Sequence, residues 1–233
     1  MLLLVTDTSG RHGSVALARA RAESSEVEVI EALPLEGGNF SALLVPQISS
    51  LLAKHGFSRK DIGAFVVVAG PGSFTGLRVG LAAIKALAEI LQKPIVPVSL
   101  LEVVALAGHR ANQTRSKLLA ALDAGRGDLY VGEYEVEGEN SRLVREQLMP
   151  KDEFLSIARA MTPDAIAVTP DETLAASARG AGIAIALVAL PDAARIARLG
   201  SRKLQAGETI SPEELDANYI RRTDAEIFAK PRP

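Results

Sequence analysis

The chain opens on an apolar run over residues 2–6, the length of one buried strand, and Asp7-Thr8-Ser9-Gly10-Arg11-His12-Gly13 supplies turn chemistry before a second run from Ser14 to Ala20. Val27 to Leu35 alternates apolar positions with acids and predicts a half-exposed third strand, so three antiparallel strands begin the fold. Ser41 to His55 then places Leu44, Ile48, Leu51 and Leu52 at helical spacing, with Gly56 as the stop signal. Pro46 lacks an amide proton and must sit in the first turn of this helix or kink it. Ala64 to Ala69 has the β-branching of a central strand buried on both faces. Gly70-Pro71-Gly72-Ser73-Phe74-Thr75-Gly76 follows as a glycine-rich turn into a helix from Leu77 to Gln92, and Ile95 to Val98 is a short strand.

The second half repeats this alternation. Leu118 to Leu122 and Leu129 to Val136 are strands flanking the turn Asp123-Ala124-Gly125-Arg126-Gly127, Ala165–Val168 and Ile183–Val188 are further strands, and Glu172–Arg179 and Asp192–Gln205 are helices. With short gaps, Asp7, Gly10, Arg11 and Gly13 align with Asp123, Gly125, Arg126 and Gly127, which suggests an internal duplication, although such residues are ordinary in turns. The class is α/β with mixed sheets, divided into domains over 1–105 and 106–233, with the final helix packing back on the first.

Composition narrows the chemistry. Net charge is -2, from 26 Lys plus Arg against 28 Asp plus Glu, so no overall basic field attracts nucleic acid and any RNA role needs a partner or a local patch. The absence of cysteine removes disulfides, thiolate metal sites and a cysteine nucleophile. His12, His55 and His109 have no metal-ligand spacing, and His55 suits a helix C-terminus. The apolar start has no basic leader and meets Asp7 early, and the longest later apolar stretch, Ala181 to Leu190, is about half of a bilayer span. A cytoplasmic protein with no membrane segment is expected.

The glycine-rich turn fails three tests. No lysine follows Gly76 as a Walker loop requires, Thr75 stands where a dinucleotide fingerprint has its third glycine, and Pro71 stands two before Ser73 where a nucleophile elbow has glycine. What remains is a helix N-terminus that favours an anion, or the plainer alternative in which Ser73 or Thr75 caps the helix and the glycines let it pack close to the sheet. Asp7-Thr8-Ser9 can likewise hold a hydrated cation or a phosphate, or simply close its hairpin. The candidate nucleotide contacts are therefore Asp7, Thr8, Ser9, Gly72 and Ser73. On the helix from Leu77, the polar residues Arg78, Lys85, Glu89 and Gln92 occupy a stripe about 60° wide, so the rest must be covered on two sides, by its own domain or by a partner. The candidate partner surface is Leu44, Ile48 and Leu51 with Gly80, Ala83, Ile84 and Leu87.

The strings Val5-Thr6-Asp7-Thr8-Ser9, Gly70-Pro71-Gly72-Ser73-Phe74-Thr75-Gly76-Leu77-Arg78-Val79-Gly80, Ala83-Ile84-Lys85-Ala86-Leu87-Ala88, Pro97-Val98-Ser99-Leu100-Leu101-Glu102, Ala121 to Gly127 and Asn218-Tyr219-Ile220-Arg221-Arg222 resemble the TsaB family of bacterial tRNA threonylcarbamoyladenosine biosynthesis proteins. That resemblance implies a duplicated actin-like (ASKHA, ribonuclease-H-like) fold. It also implies a non-catalytic paralogue of TsaD, whose two metal-binding histidines in a His-x-x-x-His motif correspond here to Leu100 and Val104. The implied partners are TsaD and TsaE, with tRNA met only through the complex and a homodimer in isolation. No cofactor is expected on the chain alone, and ATP or ADP within the complex. Phe40-Ser41 departs from the His-Ser expected before the first helix in relatives. The rival is a stand-alone glycopeptidase-like or kinase-like enzyme of the same fold, disfavoured by the absence of a recognisable nucleophile–base pair.

Overall fold

The computed structural model describes residues 1–21 and 26–220. The chain forms two compact units, the first of Met1–Val103 with Pro191–Asn218 and the second of Val104–Leu190 with Tyr219 and Ile220. The first unit therefore includes the segment 191–218, which holds the last helix of the described residues.

The first unit is built on a five-stranded mixed sheet. Strands β1 (Leu2–Asp7), β2 (His12–Ala20) and β3 (Val27–Glu36) pair antiparallel, while β4 (Ile62–Gly70) and β5 (Ile95–Ser99) join β1 in parallel, giving the order β3-β2-β1-β4-β5. Val66, at the centre of β4, pairs with Val5 of β1 and Val96 of β5, and all three are buried. Such two-sided burial is why these strands read as continuous apolar runs. Helix α1 (Phe40–Lys54) connects β3 to β4, and α2 (Phe74–Leu91) connects β4 to β5. Their buried residues, including Leu44, Ile48, Leu51, Leu77, Leu81 and Ile84, share one core with Leu4, Phe65 and Val67 of the sheet. Pro46 lies in the second turn of α1 on its exposed side, where water can take the carbonyl of Ala42.

The second unit repeats the plan. Strands β6 (Lys117–Gly125), β7 (Asp128–Glu137) and β8 (Asn140–Pro150) are antiparallel, β9 (Ala165–Thr169) and β10 (Ile185–Leu187) join β6 in parallel, and the order is β10-β9-β6-β7-β8. Helices α4 (Lys151–Arg159) and α5 (Glu172–Gly180) stand where α1 and α2 stand in the first repeat, and their Phe154, Leu174 and Ala178 pack with Val131 and Ala167 of this sheet.

The third helix of each repeat crosses over. Helix α3 (Leu100–Ala111) follows β5, yet from Val104 onward it belongs to the second unit, where a Cβ on Gly108 would lie 2.4 Å from Val168 of β9. Helix α6 (Ala193–Gln205) follows β10 but packs on the first sheet, where a Cβ on Gly200 would lie 2.4 Å from Val66 of β4. Val66 and Val168 occupy equivalent strands, so the same glycine-to-valine approach is made twice. Beyond α6, Ile210 forms an antiparallel bridge with Ile95, Leu215 is 1% exposed in the first core, and the Asn218 amide donates to the Ala69 carbonyl at 2.8 Å.

Among the described residues, the helices α3 and α4, the strand β8 and a short 3-10 turn over Arg59–Asp61 were not expected from the sequence. Within the described residues, no helix is long and apolar enough to cross a membrane.

Candidate functional site

The candidate nucleotide contacts converge where β1 ends and α2 begins. Asp7 accepts hydrogen bonds from the Ser9 amide at 2.8 Å and the Ser9 hydroxyl at 2.6 Å, which closes the hairpin turn. Burial pushes the Asp7 carboxyl above its ordinary value, and the two Ser9 donors pull the other way. The second hairpin repeats the turn, with the Gly125 amide donating to Asp123 at 2.9 Å, as the alignment of Asp7 with Asp123 anticipated.

Glycines at positions 72, 76 and 80 decide what the first hairpin can do. A Cβ at Gly72 would lie 2.2 Å from the Ser9 carbonyl oxygen, one at Gly76 would lie 2.1 Å from that of Thr8, and one at Gly80 would lie 2.1 Å from the Thr8 hydroxyl. Helix α2 therefore lies directly on the turn, and Asp7, Thr8 and Ser9 are only 8%, 2% and 4% exposed. At the helix start, the Ser73 amide donates to the Ser9 carbonyl at 2.5 Å, and the Ser73 hydroxyl accepts from the Gly76 amide at 3.3 Å. Ser73 is thus the N-cap, the plainer of the two readings of this motif. All five residues come together, with Asp7, Thr8 and Ser9 packed under α2, Gly72 half-buried and Ser73 exposed at the helix start. Phe40 fills the same place, its ring lying where a Cβ on Gly13 would meet it at 2.8 Å and one on Gly76 at 3.2 Å.

Leu100 and Val104 share a face at the start of α3, Leu100 half-buried and Val104 buried, and both are hydrocarbon side chains without a lone pair to give a metal. Among the described residues no group of three or more His, Asp or Glu is placed to hold a metal ion. The histidines lie apart: His12 is exposed at the start of β2, His55 at the end of α1 donates to Glu31 at 2.7 Å, and the His109 ring bonds the Arg115 carbonyl at 2.7 Å. Lys54 also pairs with Glu31, at 2.6 Å, and these two partners hold the Glu31 carboxyl below its ordinary value.

The partner surface expected from the helices needs correction. Leu44, Ile48, Leu51 and Ile84 are 1%, 4%, 0% and 0% exposed inside the unit's own core, and Gly80 is sealed by Thr8. Helical spacing finds an apolar face but does not say whether the chain's own sheet covers it. Ala83 and Leu87 are half-buried against that core. The surface left open is the next stripe of α2, Ala82, Ala86 and Ile90, with Ile90 74% exposed, together with Val45 of α1 at 49%. The unusually narrow polar stripe on α2 was the signal that could have located it.

Two βββαβαβα repeats, each with its third helix on the sheet of the other repeat and an Asp-closed first hairpin, define a duplicated actin-like fold of the ASKHA class. The solved structure of YeaZ from Pseudomonas aeruginosa is similar over 94% of this chain and 99% of that one, at a TM-score of 0.68 and 25% identity. A ROK family protein from Streptococcus pneumoniae shares the fold alone, at a TM-score of 0.53 and 9% identity over 89% of this chain and 99% of that one. The model of the TsaD family, tRNA N6-adenosine threonylcarbamoyltransferase, matches residues 36–227, and the chain belongs to that family. Within it the chain is similar to the tRNA threonylcarbamoyladenosine biosynthesis protein TsaB of Bacillus subtilis, 34% identical over 135 residues, or 58% of this chain and 56% of that protein. TsaB of Haemophilus influenzae is 26% identical over 230 residues, 95% of this chain and 94% of that protein. The match thus spans about half the length of the Bacillus subtilis relative and nearly all of the Haemophilus influenzae one.

Proposed function

We propose that this chain is a non-catalytic subunit of the cytoplasmic assembly that forms N6-threonylcarbamoyladenosine in tRNA, and that it docks on the catalytic TsaD subunit through the outer face of α1 and α2. The observation that carries this reading is the uncovered stripe of Ala82, Ala86 and Ile90 beside Val45, on a helix whose opposite face is already buried. Small side chains at i and i+4 allow another helix to approach closely, and an exposed Ile supplies an apolar anchor. Family membership supplies the reaction, and the hydrocarbon side chains of Leu100 and Val104 support a supporting rather than a catalytic role.

The closed hairpin at Asp7 supports placing any ATP or ADP needed by the assembly on another subunit, TsaD or TsaE. tRNA is then met within the complex, consistent with a net charge of -2.

The test is the mass of the purified chain in solution, alone and with TsaD, together with reconstituted threonylcarbamoyl transfer. A defined heteromer and transfer dependent on both chains is the expected result. A homodimer whose mass does not change on adding TsaD, with transfer unaffected, would assign the face to self-association instead.

A further inference from the structure

We propose that the outward face of α6, extended by Arg21 at the end of β2, is a contact surface for the phosphate backbone of folded RNA. This rests on the reading above in that the RNA is the tRNA acted on by the assembly. Although the whole chain carries a net charge of -2, the stretch from Ala193 to Gly207 holds Arg195, Arg198, Arg202 and Lys203 and no acid. Its cations are sorted by the helix. At 3.6 residues per turn, Arg195, Arg198 and Arg202 fall within about 60° of one another and span about 10 Å along the axis. Ala193, Ile196, Ala197, Leu199 and Gly200 on the other side are buried.

That buried side fixes the helix firmly. Gly200 lets the backbone approach Val66, Asp192 caps the first turn by accepting from the Arg195 amide at 2.8 Å, and Arg195 and Arg198 are left partly exposed while the Nε of Arg202 is buried. A second element continues the stripe: the Gln205 side chain donates to the Arg21 carbonyl at 3.2 Å, so the exposed Arg21 stands at the C-terminal end of the helix. Among the described residues, four acids near this face are already engaged. Asp192 pairs with Arg195 at 2.5 Å, Glu208 and Glu102 pair with Lys203 at 2.9 and 3.3 Å, and Glu28 pairs with Arg19 at 3.5 Å. Among the described residues neither Arg198 nor Arg21 has an ion pair. A row of guanidinium groups on a rigid helix, with no aromatic platform among them, suits phosphates rather than bases.

The experiment uses the reconstituted assembly and measures tRNA binding by fluorescence anisotropy across a salt series. The double variant Arg21→Ala/Arg198→Ala is compared with wild type and with Arg21→Lys/Arg198→Lys, and the mass of each assembly is recorded. The alanine pair should bind tRNA about tenfold more weakly, with the slope of log affinity against log salt reduced by about 1.5–2, and the lysine pair should keep both. An unchanged slope in the alanine pair overturns the inference while leaving the proposed function intact. An altered assembly mass with an unchanged slope overturns it too, by making the face a protein contact. If the wild-type assembly neither binds tRNA nor transfers the group, the reading beneath it falls as well.

Discussion

Asp7 and the glycines above it show how single residues close the first hairpin. At Gly76 an added methyl would press on the Thr8 backbone oxygen, which has no rotamer with which to escape, whereas nothing lies within 4 Å of a Cβ on Gly180. Gly76→Ala should therefore destabilise the protein by about 1–3 kcal/mol. Gly180→Ala, at the end of α5, should be neutral or up to about 1 kcal/mol stabilising. Urea unfolding of the two variants checks the pair, and equal midpoints would contradict the close packing of α2 on the turn. The Asp7 carboxyl titrates above 3.8 in the folded chain because it is buried, so the native state binds the more protons over the window that opens there. Stability from this group is then fully present below 3.8 and lost as pH rises through the folded value. In Asp7→Asn that slope is gone, and the stability of wild type minus variant should decline as pH rises from about 4 upward. A difference that stays flat with pH would remove the claim that Asp7 is a desolvated carboxylate.

At the scale of elements, the two faces of α1 and α2 should respond differently to the same chemistry. Ile90→Asp and Ala86→Glu put a charge on the open stripe and should leave the fold intact by circular dichroism while weakening association with TsaD by about 3–5 kcal/mol, the cost of an unpaired buried charge. Leu44→Asp should unfold the unit instead, since Leu44 lies in its core. Sedimentation of the variants with TsaD separates the cases, and unchanged association in both surface variants would withdraw this face from the interface. The segment after α6 is a second element whose weight can be measured. Leu215→Ala should cost about 2–5 kcal/mol in urea unfolding because the side chain is 1% exposed in the first core. A loss below about 1 kcal/mol would mean that this segment lies on the unit without holding it.

Elements with a clear period were legible in the sequence, and the others were missed for identifiable reasons. Helix α3 is apolar around most of its circumference, with residues 101–106 all buried, so it presents no polar stripe to announce a helix. Strand β8 is a largely exposed edge strand whose Arg142 and Arg145 pair with Glu135 and Glu133 of β7, and its charges hide the alternation. Helix α4 begins at Lys151 directly after β8 ends at Pro150, with no turn to mark it. The convergence of Asp7, Thr8 and Ser9 with Gly72 and Ser73 was legible as a set, but their closure depends on distances of a few ångströms that spacing does not carry. The arginine face of α6 lies within a helix that periodicity located, yet its extension by Arg21 joins residues far apart in sequence. Arg221 and Arg222, part of the family-like string at the C-terminal end, lie outside the described residues.

Across the whole molecule, the repeat plan packs the first hairpin under α2 and leaves the outer faces of α2 and α6 open. On the proposed reading the chain acts through the partners it holds, and its removal should abolish the reaction of the assembly. The most direct measurement is mass spectrometry of tRNA nucleosides from cells depleted of this chain and complemented with wild type or with Ile90→Asp. Depletion should remove N6-threonylcarbamoyladenosine, wild type should restore it, and Ile90→Asp should restore it poorly despite normal folding. Undiminished levels of the modified nucleoside in depleted cells that hold no second copy of the protein would contradict the account.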